Sequence, residues 1–329
     1  MKTVAFFNNK GGVGKTTLVY HLAWMLAERG ETVLVVDLDP QANLTSMFLA
    51  EERLEMLWPS GEHPDTIFGA LRPIIRGIGD VVTPHIERVG PRLGLVVGDL
   101  ALSTFEDKLS AAWPQCHNRD ESAFRTMSAF YRGVRMAAEK LQATWVLIDV
   151  GPNLGAINRA ALIASEYVVI PLGPDLFSLQ GLQNLGPSLR SWRNSWSELI
   201  PKNPDPQLEL PSGRIEPLGY VVMQHGMREN RPPKAYQRWI DRFPRAYRES
   251  VLAEAVSSVP SAQADSYGLA MLKHYRSLMP MAMEARKPVF FLKPADGAIG
   301  AHVEAARNAY FDFLSLAQRI AERCGATIS

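Results

Sequence analysis

The chain has 329 residues, of which 47% are hydrophobic and 21% charged, and its net charge is +1, so no global field draws it onto nucleic acid or a membrane. Two cysteines without CxxC or metal-ligand spacing, Cys116 and Cys324, exclude a disulfide scaffold and fit a reducing cytoplasm. No apolar run approaches the roughly 20 residues that span a bilayer, and a start directly on a strand-like run leaves no signal peptide to expect, so a soluble cytoplasmic protein is expected.

In chain order, the apolar run Thr3-Val4-Ala5-Phe6-Phe7 predicts a first strand. It leads into Lys10-Gly11-Gly12-Val13-Gly14-Lys15-Thr16-Thr17 and then an amphipathic segment, Leu18 to Arg29, with Leu18, Leu22, Met25 and Leu26 on one stripe and Gly30 as a stop. Strand, glycine loop and helix is the context in which this motif means phosphate binding. The glycines let successive N–H groups face one oxyanion cluster, and the helix adds the positive end of its dipole. Lys15 is placed to reach the β- and γ-phosphates, and the Thr16 hydroxyl to ligate Mg²⁺.

Thr32 to Val36 predicts a second strand, followed by Asp37-Leu38-Asp39-Pro40-Gln41-Ala42-Asn43. Two acids one residue apart at a strand end can face one crevice; the plainer alternative is an Asp-Pro turn opening a helix. Residues 50–92, rich in Pro, Gly and Arg, read as an elaborated surface region, and 50–140 as an insertion. Trp145 to Ile148 repeats the strand pattern and ends in Asp149, with Val150-Gly151-Pro152 behind it; Tyr167 to Ile170 and Leu218 to Val222 are further buried strands. The prolines of 201–217 predict an extended loop.

Arg228, Arg231, Lys234, Arg238, Arg242, Arg245 and Arg248 form the densest basic stretch. On a helix after Pro233, residues 234, 238, 242 and 245 share a face that could contact phosphates without reading bases. The plain alternative is a solvated helix face. A last helix, Val303 to Arg323, carries Val303, Ala306, Tyr310, Phe313, Leu314, Ala317 and Ile320 as an apolar stripe. Its polar face is mixed in sign, so packing against the sheet is expected rather than membrane binding. The alternation predicts an α/β fold: a doubly wound, mostly parallel sheet with helices on both faces, one domain over 1–329.

The lysine at the first position of the loop, Lys10, together with Lys15, the D-x-D-P-Q-x-N stretch and Asp149, makes the chain resemble the ParA/MinD family of deviant Walker A ATPases, in its ParA/Soj-like partitioning branch. The run from Asn158 through Gly181 and the strand Gly219 to Met223 leading to Arg228 resemble that family too. Lys287-Pro288-Val289 resembles the strand-entry segment before its last helix. The resemblance implies an ATPase with ATP and Mg²⁺ as cofactors, the phosphates held by Lys10, Gly11, Gly12, Val13, Gly14, Lys15, Thr16 and Thr17. It implies that Lys10 reaches a partner's ATP in an ATP-dependent homodimer. Asp39 would orient the attacking water, with Asp37 and Asp149 near the metal alongside Thr16. Pro171 to Asp175 would lie near the base, although Arg276-Ser277-Leu278-Met279-Pro280 stands where relatives carry a Pro-Arg-Asn triplet. Implied partners are non-specific DNA, contacted by Arg228, Arg231, Lys234, Arg238 and Arg242, and a ParB-like activator, with nucleoid association when ATP-bound and no stable membrane association. A MinD-like membrane regulator and an ATP-dependent metabolic ligase on the same scaffold are the alternatives.

Overall fold

In the computed structural model, residues 1–59, 61–225, 234–275 and 277–328 are described. Eight strands, β1 (Lys2–Phe6), β2 (Val33–Asp37), β3 (Glu87–Gly90), β4 (Leu93–Val96), β5 (Trp145–Asp149), β6 (Tyr167–Leu172), β7 (Glu216–His225) and β8 (Gly268–Lys273), form a sheet in the order β3-β4-β2-β5-β1-β6-β7-β8. The pairs β1/β5, β2/β5, β2/β4 and β7/β8 are parallel, and β3 joins β4 antiparallel at the edge. This is the expected doubly wound sheet. β2 and β5 are buried at every residue, which is why both read as continuous apolar runs rather than alternating ones.

The helices are α1 (Lys15–Glu28), α2 (Asn43–Phe48), α3 (Glu51–Leu57), α4 (Ile67–Arg76), α5 (Phe105–Gln115), α6 (Glu121–Met127), α7 (Ala129–Leu141), α8 (Ala156–Ile163), α9 (Leu176–Leu199), α10 (Lys234–Ile240), α11 (Phe243–Ala246), α12 (Leu278–Ala285) and α13 (Ala301–Arg323). Contacts divide the chain into two compact units: residues 1–7, 31–168 and 188–216, and residues 8–30, 169–187 and 217–329.

In the first unit, β2 lies between β4 and β5, and α7 packs on β2. Here the reading of 50–140 as an insertion needs correction. The segment supplies α3 to α7 and also β4, a strand buried at all four residues beside β2. Gly94 interrupts its apolar run, since a side chain there would collide with Ile86 and Leu141. Within the proline-rich stretch expected as a loop over 201–217, residues 203–215 carry no helix or strand, while 201–202 close a 3-10 turn and 216–217 open β7. The loop is pinned by Trp196, whose indole N–H donates to the Pro211 carbonyl at 2.8 Å and whose ring stacks on Trp113.

In the second unit, α13 packs against α1 and β8 and buries Ala306, Ala309, Phe313, Leu316, Ala317 and Ile320. Each large side chain buried this way contributes about 2 kcal/mol. Val303, expected on that stripe, is instead 47% exposed. The segment at Lys287 leads into a short 3-10 turn, Val289–Phe291, rather than a strand; the last strand is β8, whose mixed burial gave no clear period. The single basic helix expected after Pro233 is broken: α10 ends at Ile240, α11 starts at Phe243, and a π-helical turn spans Tyr247–Leu252. Pro244 is the physical reason, because it has no N–H to bond the Ile240 carbonyl four residues back and its ring crowds that carbonyl.

Candidate functional site

The glycine loop leaves β1 and ends at α1, whose first residue is Lys15, three residues earlier than the apolar pattern predicted. Gly12 (φ +74°) and Gly14 (φ +88°) both sit in left-handed backbone that other residues adopt only at a cost. Gly14 is the N-cap and contributes no side-chain acceptor, so α1 begins as a bare helix N-terminus of the kind that receives phosphate. Lys15 is 7% exposed.

Lys10 is tied to its own chain. Its backbone N–H donates to Asn8 Oδ1 at 3.0 Å, and its ammonium donates to the Asp175 carboxylate, 5.8 Å from the ring centre of Phe177. Asp175 also accepts from the Ser178 N–H at 2.9 Å, and Asn8 Nδ2 donates to the Pro171 carbonyl at 2.6 Å. The residues expected near the base are therefore gathered with the start of the loop and its first lysine.

The carboxylates form a second cluster. In register, Asp37 and Phe6 both lie opposite Asp149, so β1, β2 and β5 end level. Asp37 and Asp149 are fully buried and Asp39 nearly so. Asp37 accepts from the Thr45 N–H at 2.9 Å and hydroxyl at 2.8 Å on one oxygen and from the Asp39 N–H at 3.2 Å on the other. Burial, and after it the charge of Asp149, push the Asp37 carboxyl up to about 7, while the Thr45 bonds pull the other way. Two buried like charges facing each other are the arrangement a divalent cation relieves. Mg²⁺ asks for no more protein than this, since it takes one or two carboxylates and completes its shell with water and substrate phosphates.

Asp39 is held by an Asx-type turn, its Oδ1 accepting from the Gln41 N–H at 3.0 Å, with α2 opening at Asn43. The plain alternative of an Asp-Pro turn before a helix thus describes the backbone, and it also buries the carboxylate beside β5.

Of the basic stretch, Arg228 and Arg231 lie outside the described residues, and Lys234 opens α10. Arg238 and Arg242 are exposed and flank the Trp239 ring at 4.7 and 5.3 Å. Arg245 is engaged with Glu249 and the Val256 carbonyl, and Arg248 with Asp265 at 2.6 Å. Among the described residues, Arg238 and Arg242 thus form an aromatic-backed pair of exposed cations.

Four residues escaped the sequence reading. Thr45 bridges Asp37 and the Gly98 N–H. Glu106 and Asn158 hold the loop after β5. His21 sits one turn beyond the phosphate loop, its Nδ1–H donating to the Thr17 carbonyl at 2.7 Å and its Nε2 accepting from the Val289 N–H at 3.1 Å. Only His21 gave a signal, as a polar residue on the buried stripe of α1.

The family model AAA_31, an AAA domain, matches residues 1–200. An uncharacterised protein of Methanocaldococcus jannaschii is 27% identical over 244 residues, 74% of this chain and 81% of its own. The chromosome partitioning protein ParA of Caulobacter vibrioides is 30% identical over 200 residues, 59% of this chain and 64% of its own. The sporulation initiation inhibitor protein Soj of Bacillus subtilis is 30% identical over 185 residues, 56% and 63% of the two chains. The chain thus spans less than two thirds of the length of these last two relatives. Among solved structures, a Corynebacterium diphtheriae protein superposes with a TM-score of 0.73 at 23% identity, covering 98% of this chain and 99% of the other. The ATP complex of a single-substitution variant of Cyanothece McdA gives 0.64 at 16% identity, covering 100% and 98%. At those identities the likeness is one of fold.

Proposed function

Because the chain belongs to the AAA_31 family of AAA domains and is related to ParA-type partitioning proteins, we propose that it is a dimerising ATPase switch of the ParA type. ATP and Mg²⁺ bind, two copies pair, the pair holds DNA non-specifically, and hydrolysis releases it, so that DNA or protein cargo is positioned. The observation that carries this reading is the loop with a lysine at each end, Lys10 and Lys15, set by two left-handed glycines at the start of α1. Lys15 and the first-turn amides bind the β- and γ-phosphates, and Thr16 serves the cation. Asp39 orients the attacking water, while Asp37 and Asp149 supply negative charge for Mg²⁺. A bound Mg²⁺ neutralises charge on the phosphates.

Lys10→Ala is expected to abolish pairing in the presence of ATP and Mg²⁺ while leaving nucleotide binding in place. Size-exclusion chromatography with light scattering checks this; equal dimer in variant and wild type removes the role given to Lys10.

DNA retention is assigned to Arg238 and Arg242, both exposed, whose guanidinium groups lie against the Trp239 ring. Replacing both with Glu is expected to reduce the slope of log affinity against log salt by about 2, since each phosphate neutralised contributes about 0.9. An unchanged slope in a filter-binding titration places the DNA surface elsewhere.

A further inference from the structure

The loop that follows Asp149 is gripped from two sides by side chains outside the phosphate and aspartate motifs. Glu106, in the first turn of α5, accepts from the N–H of Ala156 at 2.6 Å and of Ile157 at 2.9 Å, the first two residues of α8. A carboxylate on a helix N-terminus makes charge-assisted bonds and meets the positive end of the dipole. From inside the loop, Asn158, 1% exposed, accepts from the Gly151 N–H at 3.1 Å. It donates to the carbonyls of Gly151 at 2.9 Å and Asn153 at 2.7 Å. The fit has no slack: a Cβ at Gly155 would stand 2.6 Å from Glu106 Oε1. A second tie joins the same helices, the Arg159 guanidinium stacking on Trp113 of α5 at 4.3 Å.

The inner wall of this loop is Gly151, which faces Asp39 across a space about one carbon atom wide. A Cβ built there would be 3.4 Å from Asp39 Oδ1 and 3.5 Å from Asn158 Nδ2. Hydrogen bonds therefore run from Glu106 to α8 and from Asn158, on that helix, to Gly151, which faces the carboxylate that the proposed reaction uses, and the Leu38 N–H, donating to the Asp149 carbonyl at 2.9 Å, ties the two strand ends together. We infer that Glu106 is a positioning residue for hydrolysis: by fixing the loop of residues 151–155 against α5, it sets where Asp39 stands. This rests on the reading of Asp39 as the group that orients water. It also gives α5, within the segment of residues 50–140, a task at the site.

The role concerns geometry in the transition state rather than nucleotide affinity. Glu106→Ala is expected to lower kcat for ATP about tenfold with KM unchanged, since small displacements of a positioned group are costly to rate. Glu106→Gln keeps the shape and one acceptor oxygen and is expected to recover most of that loss. The deciding experiment is a double-mutant cycle with Asp39→Ala, run on the full chain with ATP and Mg²⁺ and with thermal melts alongside. If Glu106 acts through Asp39, adding Glu106→Ala to Asp39→Ala lowers the residual rate no further. Independent, multiplying losses would overturn the inference, as would a wild-type kcat in Glu106→Ala. Should Glu106→Ala not fold, Glu106→Asp, whose carboxylate is withdrawn from the α8 amides by one methylene and whose kcat is expected to fall several-fold, carries the same cycle. Undiminished turnover in Asp39→Ala alone would instead sink the reading of Asp39, and the inference with it.

Discussion

Asp39→Ala is expected to lower the steady-state rate of ATP hydrolysis by about 100-fold, the scale of a single positioned proton acceptor or water-orienting group. Binding of ATP should survive, because the phosphate loop is a separate cluster built on Gly12, Gly14 and Lys15. The variant should then accumulate as an ATP-bound dimer that keeps its hold on DNA. The bond that the Asp39 carboxylate accepts is a turn closure to Gln41, not a tie between strands. Loss of fold is therefore not an expected route to the lost rate, and a melting temperature near wild type is part of the expectation. The measurements are phosphate release and light scattering on the same preparation. Phosphate release at the wild-type rate excludes Asp39 as the water-orienting group.

The second large effect is on stability and comes from His21. Both ring nitrogens are committed, Nδ1 as donor to Thr17 and Nε2 as acceptor from Val289, and the ring stacks on Phe313 at 4.9 Å. Only the neutral ring satisfies both partners. Burial is the main reason that its pKa is lowered from 6.5 to about 4, with the Thr17 bond acting weakly in the other direction. A histidine whose folded pKa is depressed binds its proton more readily when unfolded, so its contribution to stability is complete above pH 6.5 and is lost as pH falls toward 4. The size is about 3 kcal/mol. His21→Ala is expected to be less stable than wild type at pH 7 by a similar amount, through the orphaned Val289 N–H and the vacated space. Between pH 6.5 and 4 the variant should lose less stability than the wild type, so the two curves converge. Urea midpoints measured across that range test the point; parallel curves would show that His21 does not carry the acid sensitivity.

Sequence legibility followed burial and local geometry. β2 and β5 are buried on both faces, so their apolar runs stood out, and each was placed to within a residue or so. The phosphate loop was legible because its chemistry is contiguous: glycines that need φ above zero, a lysine and a threonine all fall within one short stretch. β4 and β8 were missed for opposite reasons. β4 is four residues long and carries Gly94 where the core closes in, whereas β8 has mixed burial and no alternation to find. The basic helix was overextended because periodicity counts charges on a face and does not weigh the break that Pro244 imposes.

Residue order was enough for the class of the sheet, the phosphate loop with its two lysines, and the strand-end aspartates Asp37, Asp39 and Asp149. Each of these is a local pattern of residue type and spacing. How those groups are held came only with the folded chain: Lys10 on Asp175, 165 residues away, Asp37 on Thr45, His21 on Val289, and the loop behind Asp149 on Glu106. Such partners are chosen by which backbone donors and charges the folded sheet brings within hydrogen-bond reach, and no spacing along the chain encodes that choice.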